Sequence, residues 1–353
     1  MKGLVLSGGT GSRLRPFSHS MAKQLIPMAN KPVLVHIVEN LRAIGISQVG
    51  VVVGDRAEEI GEVLGDGSAL NVEITYIRQD APRGLADCIK VARAFLGEDD
   101  FVVYLGDNML PDGIGEAASE FLAGTAAAQL IVHRVADPRP FGVAEMTPDR
   151  RVVRVTEKPE VPASDLAVLG VYFFRPAIHE AVWSIGPSRR GELEITDAIQ
   201  LLVENDGDVR ASLYTAFHAD TGTVEEALRC NAELLTRLER RVAGKVDEGS
   251  EVVGPVVIEH GAHVIGSHII GPAIIGAGTV VEDAHIGPHT SIAADCVLVS
   301  AGLEHSIVLE GATITGVRGI HGSIIGRAAL VAADGGHHRL MIGDHADIRL
   351  PAT

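Results

Sequence analysis

The feature that most restricts the fold is a six-residue period of aliphatic side chains in the C-terminal third of the chain. Val246, Val252, Ile258, Val264 and Ile270 are spaced by six; Ile274, Val280, Ile286, Ile292 and Leu298 continue at six after a change of phase; Val308, Ile314 and Ile320 make a third run. Glycines recur beside them at Gly254, Gly266, Gly271, Gly276 and Gly287. One aliphatic per hexad is the mark of a parallel β-helix, in which three hexads close one coil and the aliphatics stack inward as ladders. An ordinary antiparallel β-domain gives no reason for thirteen aliphatics to keep one period.

Before residue 244 the texture is different. Short apolar runs (Leu4 to Leu6, Val49 to Val53, Phe101 to Leu105) alternate with helical spacing, as in Pro32 to Ile44 and Leu85 to Phe95. Further strands are predicted at Gln129 to Val135, Arg151 to Thr156, Val168 to Phe174 and Val209 to Thr215, and helices at Pro176 to Ile185, Thr196 to Glu204 and Val224 to Arg241. Strands alternating with helices imply an α/β fold with a mostly parallel sheet.

A formal net charge of −16 argues against a general nucleic-acid or anionic-membrane surface, since both need a positive field. A phosphorylated small molecule stays open, because its site needs only a few local cations. Cys88, Cys230 and Cys296 lie far apart with no CxxC pair, which reads as reduced, buried thiols. Met1-Lys2-Gly3 leads straight into a strand without a signal-peptide pattern, and no apolar run reaches the roughly 18 residues of a membrane helix. The expectation is a cytoplasmic protein with no nucleic-acid or membrane partner.

The strongest local signal is Leu6-Ser7-Gly8-Gly9-Thr10-Gly11-Ser12-Arg13-Leu14-Arg15-Pro16, directly after the first strand. In open α/β sheets, ligands bind outside the carboxyl ends of the strands. Glycines let the backbone aim N–H groups at phosphate oxygens. Arg13 adds a planar fork matched to phosphate, and Lys23, leading into Gln24-Leu25-Ile26-Pro27, adds a second cation. The spacing is neither GxGxxG nor GxxxxGK, so a dinucleotide oxidoreductase and a P-loop ATPase do not fit. A plain tight turn would explain the glycines but not Arg13, Arg15 and Lys23 in one loop.

Gly8-Gly9-Thr10-Gly11-Ser12-Arg13-Leu14 with Lys23-Gln24 resembles the sugar-phosphate nucleotidylyltransferase family. More narrowly, it resembles the long-form glucose-1-phosphate thymidylyltransferases, which carry a C-terminal left-handed β-helix. The resemblance implies a Rossmann-like, mixed and mostly parallel sheet over residues 1–243. A left-handed parallel β-helix of hexapeptide repeats, with a C-terminal tail, follows over residues 244–353. It implies transfer of a nucleotidyl group from dTTP (or UTP) to α-D-glucose 1-phosphate, with release of pyrophosphate, dependence on Mg²⁺, and a homo-oligomer built through the β-helix, the catalytic domain or both.

The same resemblance distributes roles. Leu6, Gly8, Gly9, Gly11, Ser12, Arg13, Gln24, Gln79, Pro82, Gly84 and Asp107 would hold the nucleotide. In Gln79-Asp80-Ala81-Pro82-Arg83-Gly84, the Gln79 amide and Gly84 backbone would read the base edge. An amide is both donor and acceptor, so it can match a uracil-like edge. Asn108, Gly142, Glu157, Lys158, Gly170, Val171, Arg190 and Glu192 would hold the sugar phosphate, beside Phe141 and Val143. Glu157 and Glu192 would take hexose hydroxyls, and Lys158 and Arg190 the phosphate. Asp107 and Asp220 would ligate one Mg²⁺, since a hard cation needs few carboxylates when phosphates complete its shell. Arg13, Lys23, Asp107 and Lys158 would be catalytic. The sugar phosphate would attack the α-phosphorus in line, with no protein nucleophile, because it is already an anion. Glu194 and Asp197 read as surface charges and a helix cap.

The pattern also departs from the family. Relatives usually carry aromatic residues and a lysine before Asp-Thr-Gly, where this chain has Phe217-His218-Ala219; Ser7 stands where alanine is common, and Phe141 where some relatives have tyrosine. Other functions remain to be weighed. A UTP or amino-sugar enzyme would use the same chemistry. The β-helix could be an acyltransferase, since ten of fifteen histidines lie beyond residue 259, but solvated turns explain His260, His263, His268, His285 and His289 more simply. A non-catalytic subunit would be expected to have lost Arg13, Lys23 or an Asp ligand. A metal site at His337, His338 and His345 has no supporting pattern.

Overall fold

The computed structural model describes residues 1–9, 11–333 and 345–349. The chain forms two compact units, one of Met1–Thr10 with Leu34–His218, the other of Gly11–Val33 with Ala219–Thr353.

The first unit is built on a nine-stranded sheet. Its spatial order is Val152–Glu157, Gly142–Met146, Leu166–Phe174, Phe101–Leu105, Lys2–Leu6, Gln48–Val53 and Glu73–Arg78. Ala128–Arg134 also pairs with Leu166–Phe174 and carries Val209–Leu213 beyond it. Lys2–Leu6 sits between two parallel neighbours, with Leu6 opposite Val52 on one side and Leu105 on the other. Such strands bury both faces, so their sequences are continuous apolar runs. Leu4, Val52, Phe101, Val103, Leu130 and Phe174 are all fully buried in one cluster. Leu166–Phe174 runs antiparallel to Phe101–Leu105, which makes the sheet mixed.

Most expected elements are present with shifts of one or two residues. The helix expected over Leu85 to Phe95 divides at Ala92 into Leu85–Val91 and Arg93–Leu96. Glu73–Arg78 and Gly142–Met146 are strands without a sequence prediction. Glu73–Arg78 is an edge strand with no fully buried residue, so it carries no apolar signature.

The second unit contains the left-handed β-helix, with strands of two or three residues in three parallel sheets. The inward ladders correct the sequence register. The interior residues run Val264, Ile269, Ile275, Val281 and Ile286, so Ile269, Ile275 and Val281 point inward, rather than Ile270, Ile274 and Val280. Each adjacent pair holds two aliphatics, and period alone cannot say which faces in. The phase change is a five-residue step, giving coils such as Val264 to Val281 and Ile269 to Ile286. Ile274 faces outward instead and packs with Leu235 and Val257.

The long helix spans Val224–Thr236 and stops short of Arg241, because Arg241–Val242 already pairs with Val257 and Ile258 as a β-helix rung. Thr223 caps it, its Oγ1 accepting the Glu226 N–H at 3.2 Å. In the same unit, Pro27–Met28 and Lys31–Pro32 form a small hairpin whose two-residue tip, Ala29-Asn30, has φ of 49° and 61°. The Asn231 Oδ1 accepts the Ala29 N–H at 2.8 Å and the Ser291 hydroxyl at 2.9 Å, and Asn30 donates to the Ile292 carbonyl at 2.7 Å. Among the described residues, no helix is long and apolar enough to cross a membrane. His337, His338 and the stretch from Arg339 to Asp344 lie outside the described residues, as does Thr10.

Candidate active site

In the first unit, the parallel strands deliver their loops to one carboxyl edge. The Ser7 N–H donates to the Val52 carbonyl, Gly106 N–H to Leu6 and Gln79 N–H to Val53, all within 2.9 Å. These bonds bring the glycine run, the Gln79 loop and Gly106-Asp107-Asn108 together. Leu6 is buried below them, and Gly9 and Pro82 are exposed. A side chain on Gly8 would put its Cβ 3.1 Å from the Gln79 Oε1. Gln79 is only 7% exposed, and its Nε2 donates to the Asp87 Oδ2 at 2.9 Å.

Gly84 is fixed twice. Its φ of +109° disfavours any side chain, and an added Cβ would lie 2.4 Å from the Leu193 carbonyl oxygen. The loop is stitched to Leu193 by the Leu193 N–H to Arg83 and the Ala86 N–H to Leu193, at 2.7 and 3.0 Å. Asn108 donates to the Asp107 Oδ1 at 3.1 Å and accepts the Gly170 N–H at 3.3 Å, which orders Asp107 against the neighbouring strand. Val171 pairs with Tyr104 and buries its side chain entirely, so only its main chain could serve a ligand.

A second cluster of this unit gathers around Glu157. One carboxylate oxygen accepts from Arg190 at 3.1 Å, the other from the Thr196 hydroxyl at 3.1 Å, and the Lys158 Nζ lies 3.7 Å away. Arg190 also meets Glu192 at 3.6 Å and Glu194 at 3.4 Å. Lys158 holds φ of 39°, and its N–H donates to the Phe141 carbonyl at 3.0 Å. Strained backbone of this kind persists where its surroundings over-determine it. Gly142 leaves room for the group, since a Cβ there would meet the Thr196 methyl at 2.8 Å.

The reading of Glu194 as a surface charge is corrected. It is 4% exposed and accepts from the Ser188 hydroxyl at 2.9 Å. Burial pushes its carboxyl above the usual range despite that bond, with the Glu157 charge adding to the rise. Glu194 stands at the N-cap position of helix Ile195–Glu204 but makes no side-chain cap bond. Asp197 is half-buried, and burial, then the Glu157 charge, raises its carboxyl too. Asp87, Ser188 and Thr196 were not singled out in the sequence. An Asp inside a helix and hydroxyls in a loop carry no periodic signal; only the fold reveals their partners.

In the second unit, Gly11 (φ +66°) opens a short turn over Ser12–Leu14, and an added Cβ would meet the Lys23 Cβ at 3.0 Å. Ser12 and Arg13 are exposed, Lys23 half-buried and Gln24 buried. The Arg13 Nη2 lies 3.5 Å from the Asp220 Oδ2, while Asp220 Oδ1 accepts the Gly222 N–H at 3.1 Å. The ion pair is long and open to water, so it contributes little stability and leaves the guanidinium able to serve phosphate. Among the described residues, no group of three or more His, Cys, Asp or Glu could hold a metal by itself. Cys88, Cys230 and Cys296 are free and buried, and burial pushes the Cys88 and Cys230 thiols up to about 12.

Comparison with known proteins identifies the family. The nucleotidyl transferase family model matches residues 2–237. A glucose-1-phosphate thymidylyltransferase of Streptomyces griseus is 51% identical over 75% of this chain and 74% of its own length. One from Streptomyces antibioticus is 50% identical over the same shares. A solved structure assigned as a glucose-1-phosphate thymidylyltransferase from Bacillus anthracis, in complex with sucrose, superposes with a TM-score of 0.62 at 34% identity, covering 66% of this chain and 94% of that one. The chain belongs to the nucleotidyl transferase family.

Proposed function

We propose that this protein transfers the thymidylyl group of dTTP to α-D-glucose 1-phosphate, releasing pyrophosphate and dTDP-glucose. The observation that carries the reading is the Glu157 cluster, where two cations, Lys158 and Arg190, flank carboxylates suited to hexose hydroxyls. The relatives named for thymidylyl transfer support dTTP as the nucleotide.

Each group then has a task. The backbone of Gly8, Gly9 and Gly11 and the Arg13 fork receive the triphosphate. Gln79 and the Gly84 main chain meet the pyrimidine edge, and the buried position of Gln79 excludes water from that contact. Glu157 and Glu192 accept from hexose hydroxyls, and Lys158 and Arg190 hold the sugar phosphate against the α-phosphorus. Lys23 and Arg13 stabilise the charge that develops on the departing pyrophosphate. No general base is required, because the attacking oxygen carries no proton to remove.

Carboxylate oxygens suit a hard cation, so Asp107 and Asp220 are proposed as Mg²⁺ ligands, with phosphate oxygens completing the shell. When bound, Mg²⁺ neutralises phosphate charge and orients the two phosphates. The enzyme is proposed to work in the cytoplasm on residues 1–243, with the β-helix domain of residues 244–353, which ends in a C-terminal tail, joining copies into a homo-oligomer. Val253, Ile265 and Leu330, exposed apolar side chains on its coils, support that role and are testable by light scattering. The reaction itself is tested with labelled dTTP. Label at the α-phosphorus is expected in the sugar nucleotide and label at the β-phosphorus in pyrophosphate; α-label recovered in free dTMP, without sugar nucleotide, would overturn the reading.

A further inference from the structure

Gln79 and Asp87 form a buried pair whose geometry fixes an otherwise ambiguous group. Both residues are 7% exposed, and the Gln79 Nε2 donates to the Asp87 Oδ2 at 2.9 Å. An ionised carboxylate only accepts hydrogen bonds, so the NH₂ end of the amide must face Asp87. The Oε1 end is thereby turned toward Gly8, whose missing side chain leaves it room. The Arg83 Nη1 lies 3.8 Å from the same Asp87 oxygen, and Asp87 sits on helix Leu85–Val91, so the carboxylate itself is anchored.

We infer that Asp87 is a positioning residue that selects thymine or uracil over cytosine by preventing the Gln79 amide from turning over; this rests on the reading of Gln79 as the base contact. Thymine and uracil present a donor at N3, which Oε1 accepts. Cytosine presents a bare N3, an acceptor, and two acceptors face each other unfavourably. An unconstrained glutamine escapes this by half a turn about its Cγ–Cδ bond, which swaps oxygen for NH₂. Here the turned amide would set Oε1 against a carboxylate and lose a charge-assisted hydrogen bond.

The test uses the full-length chain with saturating glucose 1-phosphate and Mg²⁺, comparing kcat/KM for dTTP and dCTP in wild type, D87N, D87A and Q79L. Asparagine can face either end of the glutamine amide, and alanine faces neither. Both Asp87 variants are expected to lower the dTTP to dCTP ratio by about tenfold or more, mostly through gain with dCTP. With glucose 1-phosphate varied at saturating dTTP, its KM should stay within about twofold, since the sugar cluster is untouched. A purely structural role would lower both nucleotides together and leave the ratio unchanged. An unchanged ratio in D87N and D87A, with Q79L collapsing it, overturns the role of Asp87 and leaves Gln79 as the base contact. An unchanged ratio in Q79L overturns the reading of Gln79 itself.

Discussion

Replacing Asn231 by leucine tests how the second unit is held together. Asn231 is fully buried, and its Oδ1 accepts from the Ala29 N–H at 2.8 Å and the Ser291 hydroxyl at 2.9 Å. Its Nδ2 bond to the His289 carbonyl, at 3.5 Å, is marginal. Ala29 already holds a left-handed conformation at the hairpin tip, which costs a side-chain-bearing residue roughly 1–2 kcal/mol. Asn231→Leu takes the acceptor from two donors, the fully buried Ser291 hydroxyl and the half-buried Ala29 N–H. The buried Ser291 donor left unmade costs about 1–3 kcal/mol and the lost hydrogen bond of the half-buried Ala29 N–H about 1 kcal/mol, so the expected loss is about 2–4 kcal/mol. Ser291→Ala alone should cost about 1 kcal/mol. In the double variant Ser291→Ala removes a donor that is already orphaned, so the two losses should fall short of additivity by about 1 kcal/mol. Urea unfolding followed by far-UV circular dichroism measures all three. A loss under about 0.5 kcal/mol for Asn231→Leu, or strict additivity, would refute the reasoning.

Other outcomes follow from the site. Gly84→Ala places a Cβ 2.4 Å from the Leu193 oxygen at φ of +109°, so it should cost more than about 3 kcal/mol or displace the loop, read as a lowered thermal midpoint with loss of turnover. Asp107→Ala and Asp220→Ala should each abolish pyrophosphate release while leaving circular dichroism unchanged; full activity in either would remove it from the metal site. Burial, then the Glu157 charge, raises the Asp197 carboxyl above its ordinary 3.8. The folded chain then holds that proton to higher pH than the unfolded chain. Stability falls as pH rises from about 4 through the raised value and is level above it. Asp197→Asn should flatten that fall and be at least as stable as wild type at pH 7, checked by thermal midpoints from pH 4 to 8.

Much of the architecture was legible because burial leaves a pattern. Val49 to Val53 and Phe101 to Leu105 are covered on both faces, so their apolar runs are continuous. Glu73–Arg78 lies at the sheet edge, and its alternation is too weak to read. The β-helix was legible in its period but not in its register, because Ile269-Ile270, Ile274-Ile275 and Val280-Val281 each offer two aliphatics and only coil closure selects one. At the site, the glycine run, Gln79 and Glu157 stood out as motifs. Glu194 did not, because its burial depends on Ser188 and Arg190, which reach it only once the loop before its helix has folded.

The most direct test of the proposed activity is pyrophosphate release with glucose 1-phosphate and Mg²⁺ across dTTP, UTP, GTP, CTP and ATP. The account predicts the highest kcat/KM with dTTP and formation of dTDP-glucose. A purine nucleotide as the preferred substrate, or no pyrophosphate from any of the five, would contradict it.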